Sequence, residues 1–128
     1  AWFICLDDNL KPKFSECIVY SFGVNFDWTF DQSMSRLYSC NVYSFDPFYE
    51  DVLFKNRRMQ LSLNENAYQV PVDDKWTYFK LGITGNLIKA NKNLNNLANG
   101  DILTYDKVVQ LTGHENKIID IVKMDVEG

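Results

Sequence analysis

The run "CIVYSF", residues 17 to 22, restricts the fold more than any other part of the chain. It is short, rich in β-branched and aromatic side chains, nearly free of polar residues, and closed by Gly23. A strand with one wet face alternates apolar with polar residues, whereas a strand covered on both faces does not need to. The latter is the habit of parallel sheets flanked by helices. After Gly23, Thr29 and Gln32 have the spacing of a capping box, and Phe30, Met34 and Leu37 fall on one helical face, which predicts a helix over 30–38. A second strand, "NVYSFD" at 41–46, ends at Pro47, which cannot extend a ladder and disfavours helix in the residue before it.

Further on, "YEDVLFKNRRMQ" at 49–60 reads as a second helix or an irregular turn, and "LNENAYQVPVDD" at 63–74 as a polar connection. "WTYFKLGI" at 76–83 is a third strand candidate. Residues 86–100 hold six Asn with little apolar periodicity and are expected to be mostly loop. "TYDKVVQLTG" at 104–113 has the form of a short helix capped by Thr104 and ended by Gly113. "IIDIVKM" at 118–124 is another apolar strand, leading into Asp125. Strands separated by helical or crossover segments predict an α/β domain with a mainly parallel sheet, one domain over 1–128.

Composition agrees. At 128 residues, 46% hydrophobic and 15% aromatic, the chain can bury a real core, which excludes intrinsic disorder. A net charge of -4 gives no overall reason to bind nucleic acid or an anionic membrane, and the basic cluster "KNRR" at 55–58 reads as a solvated turn. Cys5, Cys17 and Cys40 form no CxxC pair and are odd in number, so buried free thiols are expected rather than a zinc site or a disulfide framework. His114, beside Glu115, is expected to be a solvated loop residue. No apolar run is long enough to span a membrane, and the first residues lack the pattern of a signal peptide. Without an initiating Met, the chain reads as a segment of a longer protein.

Ligands of open parallel sheets bind beyond the carboxyl ends of the strands. Gly23 and Asp46 fall at such ends, 23 residues apart, about the separation at which an acid closing the second strand accepts hydrogen bonds from ribose hydroxyls. "GVNFDW" lacks the further glycines that let a pyrophosphate approach a helix, and Asp27 and Asp31 would repel phosphates. The pattern therefore points to a ligand with adenine and ribose but no phosphate.

"VYSFGVNFDWTFD", "VYSFDP" and "IIDIVKMDVEG" resemble S-adenosylmethionine-dependent methyltransferases of the FkbM type and, more closely, the methyltransferase-like protein 24 group, from about Trp2 to Gly128. The resemblance implies a Rossmann-like fold and S-adenosylmethionine as cofactor. It places the glycine loop, Ser21, Phe22, Gly23, Val24 and Asn25, against the methionine part of the cofactor and Asp46 on the ribose. Gly82 and Ile83 would lie near adenine, and Asp125 and Glu127 would face the cofactor's amino group or the acceptor, as candidates for the base. The sequence departs from the common loop in having Ser21 where an acid is usual and Asp27 where further glycines are usual, and the later strands that usually shape the acceptor pocket are not expected within residues 1–128.

The expected function is methyl transfer to an oxygen or nitrogen acceptor. A methyltransferase fold kept only for interaction is the alternative, and an NAD-linked oxidoreductase is a weaker one. Trp28, following the glycine loop, is expected near the ligand, while Trp76 and Tyr78 read as core.

Overall fold

Hydrophobic strands with both faces covered assemble the centre of the molecule. The computed structural model describes residues 16–24, 28–47, 68–87, 90 and 93–126. In chain order the elements are β1 (Ile18–Phe22), α1 (Thr29–Arg36), β2 (Asn41–Phe45), β3 (Gln69–Asp73), β4 (Trp76–Phe79) and β5 (Gly82–Ile83). A 3-10 turn (Leu94–Asn96), β6 (Ile102–Leu103), α2 (Tyr105–Thr112) and β7 (Ile121–Met124) complete them. The main sheet runs β3-β4-β2-β1-β7, parallel except for β3, and β5 pairs with β6 in a separate two-stranded sheet.

The pleat divides the side chains between two layers. Val19 and Val42 join Phe30 and Met34 of α1, with Trp76 and Tyr78, on one face. Tyr20, Phe22, Phe45 and Phe79 face the other, with Leu81, Leu103 and Val108. Phe22, Phe45 and Phe79 are paired in register across β1, β2 and β4 and stack with centroids 5.0 and 4.8 Å apart. This aromatic row closes the core below the carboxyl ends of the strands, where apolar area and ring geometry both favour burial.

Several expectations need correction. Residues 69–73, taken from sequence as a polar connection, form the antiparallel edge strand β3, with Pro71 tolerated at the edge and a register shift between Pro71 and Asp73. The third strand stops at Phe79, and Gly82–Ile83 turns away into the smaller sheet. Thr29 is the first helical residue rather than the cap: Trp28 occupies the N-cap position and provides no side-chain cap. At α2 the expected caps are present, Thr104 accepting from Lys107 N–H and Gly113 left-handed at φ +75°.

The cysteines also depart from the expected free thiols. Cys17 and Cys40, which immediately precede β1 and β2, are joined in a disulfide. Parallel neighbours bring their starts together, with Cα atoms 4.8 Å apart, so sheet register rather than any spacing motif made the pair. Cys5, the segment 49–60 with its basic cluster, Asn25, Asp27 and Glu127 lie outside the described residues.

Candidate functional site

β1 is an interior strand, with β2 on one side and β7 on the other, and all three run parallel. The chain passes from β1 to β2 on one side and comes back past β1 to β7 on the other, which makes β1 a switch point of the kind whose carboxyl-end crevice takes ligands in open parallel sheets. Hydrogen bonding continues past the strands into that crevice: Gly23 N–H donates to Phe45 O (2.9 Å), Asp46 N–H to Phe79 O (3.0 Å) and Asp125 N–H to Phe22 O (2.8 Å). The Asp46 carboxylate, 3% exposed, accepts from Val24 N–H at 2.9 Å. Gly23, Val24, Asp46 and Asp125 are thereby brought together. Gly82 approaches from the second sheet, where a Cβ would sit 3.5 Å from Pro47.

Gly23 has φ +85°, and a Cβ there would come within 2.0 Å of the Asp125 carbonyl oxygen. The chain's own backbone at the end of β7 excludes a Cβ here, before any ligand is considered.

Below the loop lies a polar row that the sequence did not reveal. Ser44, Ser21 and Lys123 are register neighbours on β2, β1 and β7, all facing α1. Asp31 of α1, fully buried, accepts the Ser21 hydroxyl at 2.9 Å and the Ser44 hydroxyl, and Trp76 Nε1 donates to Ser44 Oγ at 2.8 Å. Asp31 is thus an interior acid, not the phosphate-repelling loop acid expected from its place in the sequence. Burial raises its pKa, while the Ser44 bond, the Lys123 charge and the Ser21 bond pull it back. Lys123, 4% exposed, donates to the Gly23 carbonyl at 3.1 Å, with its Nζ 5.8 Å from the centre of the Phe30 ring. A lysine inside an otherwise apolar strand was the available signal, since Lys is almost never buried unpaired.

A family model described as a methyltransferase domain matches residues 1–128. The chain belongs to this methyltransferase family. Searches of the curated proteins and of the solved structures find no match.

Within the methyltransferase domain, Ser21, Phe22 and Val24 are buried, the first on Asp31 and the second in the aromatic stack. Ile83 is half-buried on β5, and Asp125 is exposed. Trp28 is half-buried and packs its ring 6.0 Å from that of Trp76, on the α1 face. No helix among the described residues is long and apolar enough to cross a membrane, and no group of three or more His, Cys, Asp or Glu among them could hold a metal ion.

His114 is not the solvated residue expected. It is 8% exposed, with Nδ1 2.6 Å from Tyr20 Oη, which is itself 2.6 Å from Thr112 Oγ1. Thr112 Oγ1 also lies 2.9 Å from Val108 O and 3.2 Å from Val109 O, so Tyr20 Oη links the end of α2 to His114 Nδ1 in one chain of hydrogen bonds. Burial pushes the Tyr20 phenol up to about 12 and, with Lys117 nearby, pushes His114 below its usual value.

A group depressed in the folded state takes up its proton more readily when unfolded. His114 should therefore lower stability as pH falls through 6.5 toward its folded pKa, and not above it. As the chain's only histidine it gives a single ring signal, whose NMR titration midpoint is expected below 6.5. A midpoint at or above that value would contradict the buried placement. The ring borders a groove of about 550 Å³ beside α2, formed with Tyr105, Val109 and Ile119.

Proposed function

We propose that this chain is an S-adenosylmethionine-dependent methyltransferase domain of the FkbM or methyltransferase-like protein 24 type, one Rossmann-like unit over 1–128, acting on an oxygen or nitrogen acceptor. The observation that carries the reading is the Asp46 carboxylate at the end of β2, bonded to the loop after β1 beside the point where the crossovers diverge, in a chain matched throughout by a methyltransferase family.

The donor set suits the cofactor. Asp46 accepts from Val24 N–H, and an ionised carboxylate, an acceptor with about four lone-pair sites, is the group that ribose hydroxyls donate to. Pro47, Gly82 and Ile83 offer apolar surface of the kind a purine needs, and the loop has no phosphate-binding glycines. Ser21, Phe22, Gly23, Val24 and Asn25 would form the floor beneath the methionine part.

When bound, S-adenosylmethionine supplies a methyl group already activated on a sulfonium. The protein's own work is then to hold the acceptor in line with that methyl and to exclude water. Asp125, exposed at the end of β7, and Glu127 are the groups we assign to removing the acceptor's proton as its new bond forms.

The test is calorimetric titration of S-adenosylmethionine and S-adenosylhomocysteine into the chain and into Asp46→Asn. Asparagine keeps an oxygen for Val24 N–H but replaces the second acceptor with a donor. Affinity is expected to fall about tenfold or more, as for loss of a charged hydrogen bond. A folded chain that takes up neither compound would leave the interaction-domain reading in its place.

A further inference from the structure

Two of the bonds at the site belong to one peptide unit. The Gly23 carbonyl accepts from Lys123 Nζ at 3.1 Å, and the N–H on the other side of that same planar group, Val24 N–H, donates to Asp46 at 2.9 Å. The carbonyl and the N–H of a trans peptide point in opposite directions, so neither can turn without the other. A cation from β7 and an acid from β2 grip a single plane from its two sides.

We propose that Lys123 is a positioning residue for Asp46, acting through the Gly23–Val24 peptide. The proposal rests on the cofactor reading for its functional consequence, but its structural core does not.

The surroundings make the grip specific. Gly23 at φ +85° lies in a region that only glycine enters freely, so its peptide is not confined by the chain's own steric preferences. External bonds must choose the orientation. Lys123 reaches it from the same polar row that Asp31 organises: Asp31 takes the hydroxyls of Ser21 and Ser44, the register neighbours next to Lys123. Both side chains are buried, at 0% exposure for Asp31 and 4% for Lys123, so water screens neither well. Polarisation runs the same way. A cation on the carbonyl draws electron density from the amide nitrogen and strengthens its N–H as a donor to Asp46, as in other chains of hydrogen bonds.

The groups that face Lys123 include Phe30 from α1, Ser21 from β1 and the Gly23 carbonyl, with the Asp31 charge close enough to be felt. None of them is a group we assign to proton removal.

The experiment compares the full chain with Lys123→Met, which keeps the buried stem and removes the donor. Amide hydrogen exchange is followed at Val24, at Val42 in the middle of β2 and at Val108 in α2. Loss of the grip is expected to speed Val24 exchange about tenfold while Val42 and Val108 keep their protection. Affinity for S-adenosylhomocysteine should fall by about the same factor. Lys123→Gln, a donor without the charge, is expected to lie between the two. If Lys123→Met does not fold, the Gln variant carries the comparison by the same exchange ratio.

Unchanged Val24 exchange in a folded variant would overturn the proposal. So would an equal loss of protection at all three amides, which describes a lysine that only stabilises the domain. Should the unsubstituted chain bind no cofactor, the function proposed above fails, while the exchange ratio still decides whether Lys123 orients the peptide.

Discussion

Gly23→Ala is expected to destabilise the domain by about 3–5 kcal/mol, a large part of the stability of an ordinary domain. Two costs add. A non-glycine residue in left-handed backbone costs about 1–2 kcal/mol. The larger cost is steric, because the new Cβ would lie 2.0 Å from the Asp125 oxygen and 2.7 Å from its carbonyl carbon. Those are backbone atoms, and Asp125 is tied to Phe22 by its own N–H at 2.8 Å, so it cannot retreat without breaking the ladder beyond β7. Gly113→Ala is the internal control. It has a similar φ of +75°, yet nothing lies within 4 Å of its Cβ position, so only the conformational cost of about 1–2 kcal/mol applies. Chemical denaturation of both variants separates the terms. Equal losses would mean that Asp125 does not crowd Gly23, and that the glycine serves another purpose.

Removing the disulfide should cost about 3 kcal/mol, the value for a loop of roughly this length. Cys17 and Cys40 are 1% and 0% exposed, so a reductant reaches them mainly through unfolded molecules. Paired replacement by alanine is the cleaner experiment. Its midpoint of thermal unfolding is expected to drop by on the order of 10 °C and to become indifferent to reductant, whereas that of the unsubstituted chain falls when reductant is present. The bridge joins the starts of β1 and β2, at the opposite end of these strands from Gly23 and Asp46. Ligand binding by the double variant, measured below its unfolding range, should therefore be unchanged. Two titratable thiols at these positions in the native protein would refute the bridge.

The proposed site is correspondingly a matter of strand ends. Asp46 and Gly23 could be singled out from sequence because each terminates an apolar run, and a strand terminus is a local event written in local residues. Lys123 and Asp31 could not be read in the same way. Lys123 is one of two charged residues in "IIDIVKM", with nothing local to set it apart, and Asp31 is an acid in the first turn of a helix. Their meeting depends on α1 packing over the particular face of the sheet that carries Ser21 and Ser44. His114 was misread for a related reason. The residue after a helix-ending glycine is ordinarily wet, and only the docking of α2 over Tyr20 gives it a buried partner.

By itself the sequence determined that β1, β2 and β4 would be strands, β1 covered on both faces, that α2 would run between a Thr104 cap and Gly113, and that the sheet would be mainly parallel. These follow from the period of apolar residues and from backbone chemistry at glycine and proline, which act over a few neighbours. The edge strand β3 escaped notice because its alternating Val70 and Val72 are diluted by Pro71 and polar flanks, and what makes it a strand is its partner β4. The tertiary structure alone decided the Cys17–Cys40 bridge, the burial of Asp31, Lys123 and His114, and why position 23 must be glycine. Each of these requires residues far apart in the chain to meet, and which of them meet is set by sheet order and register, which no local pattern encodes.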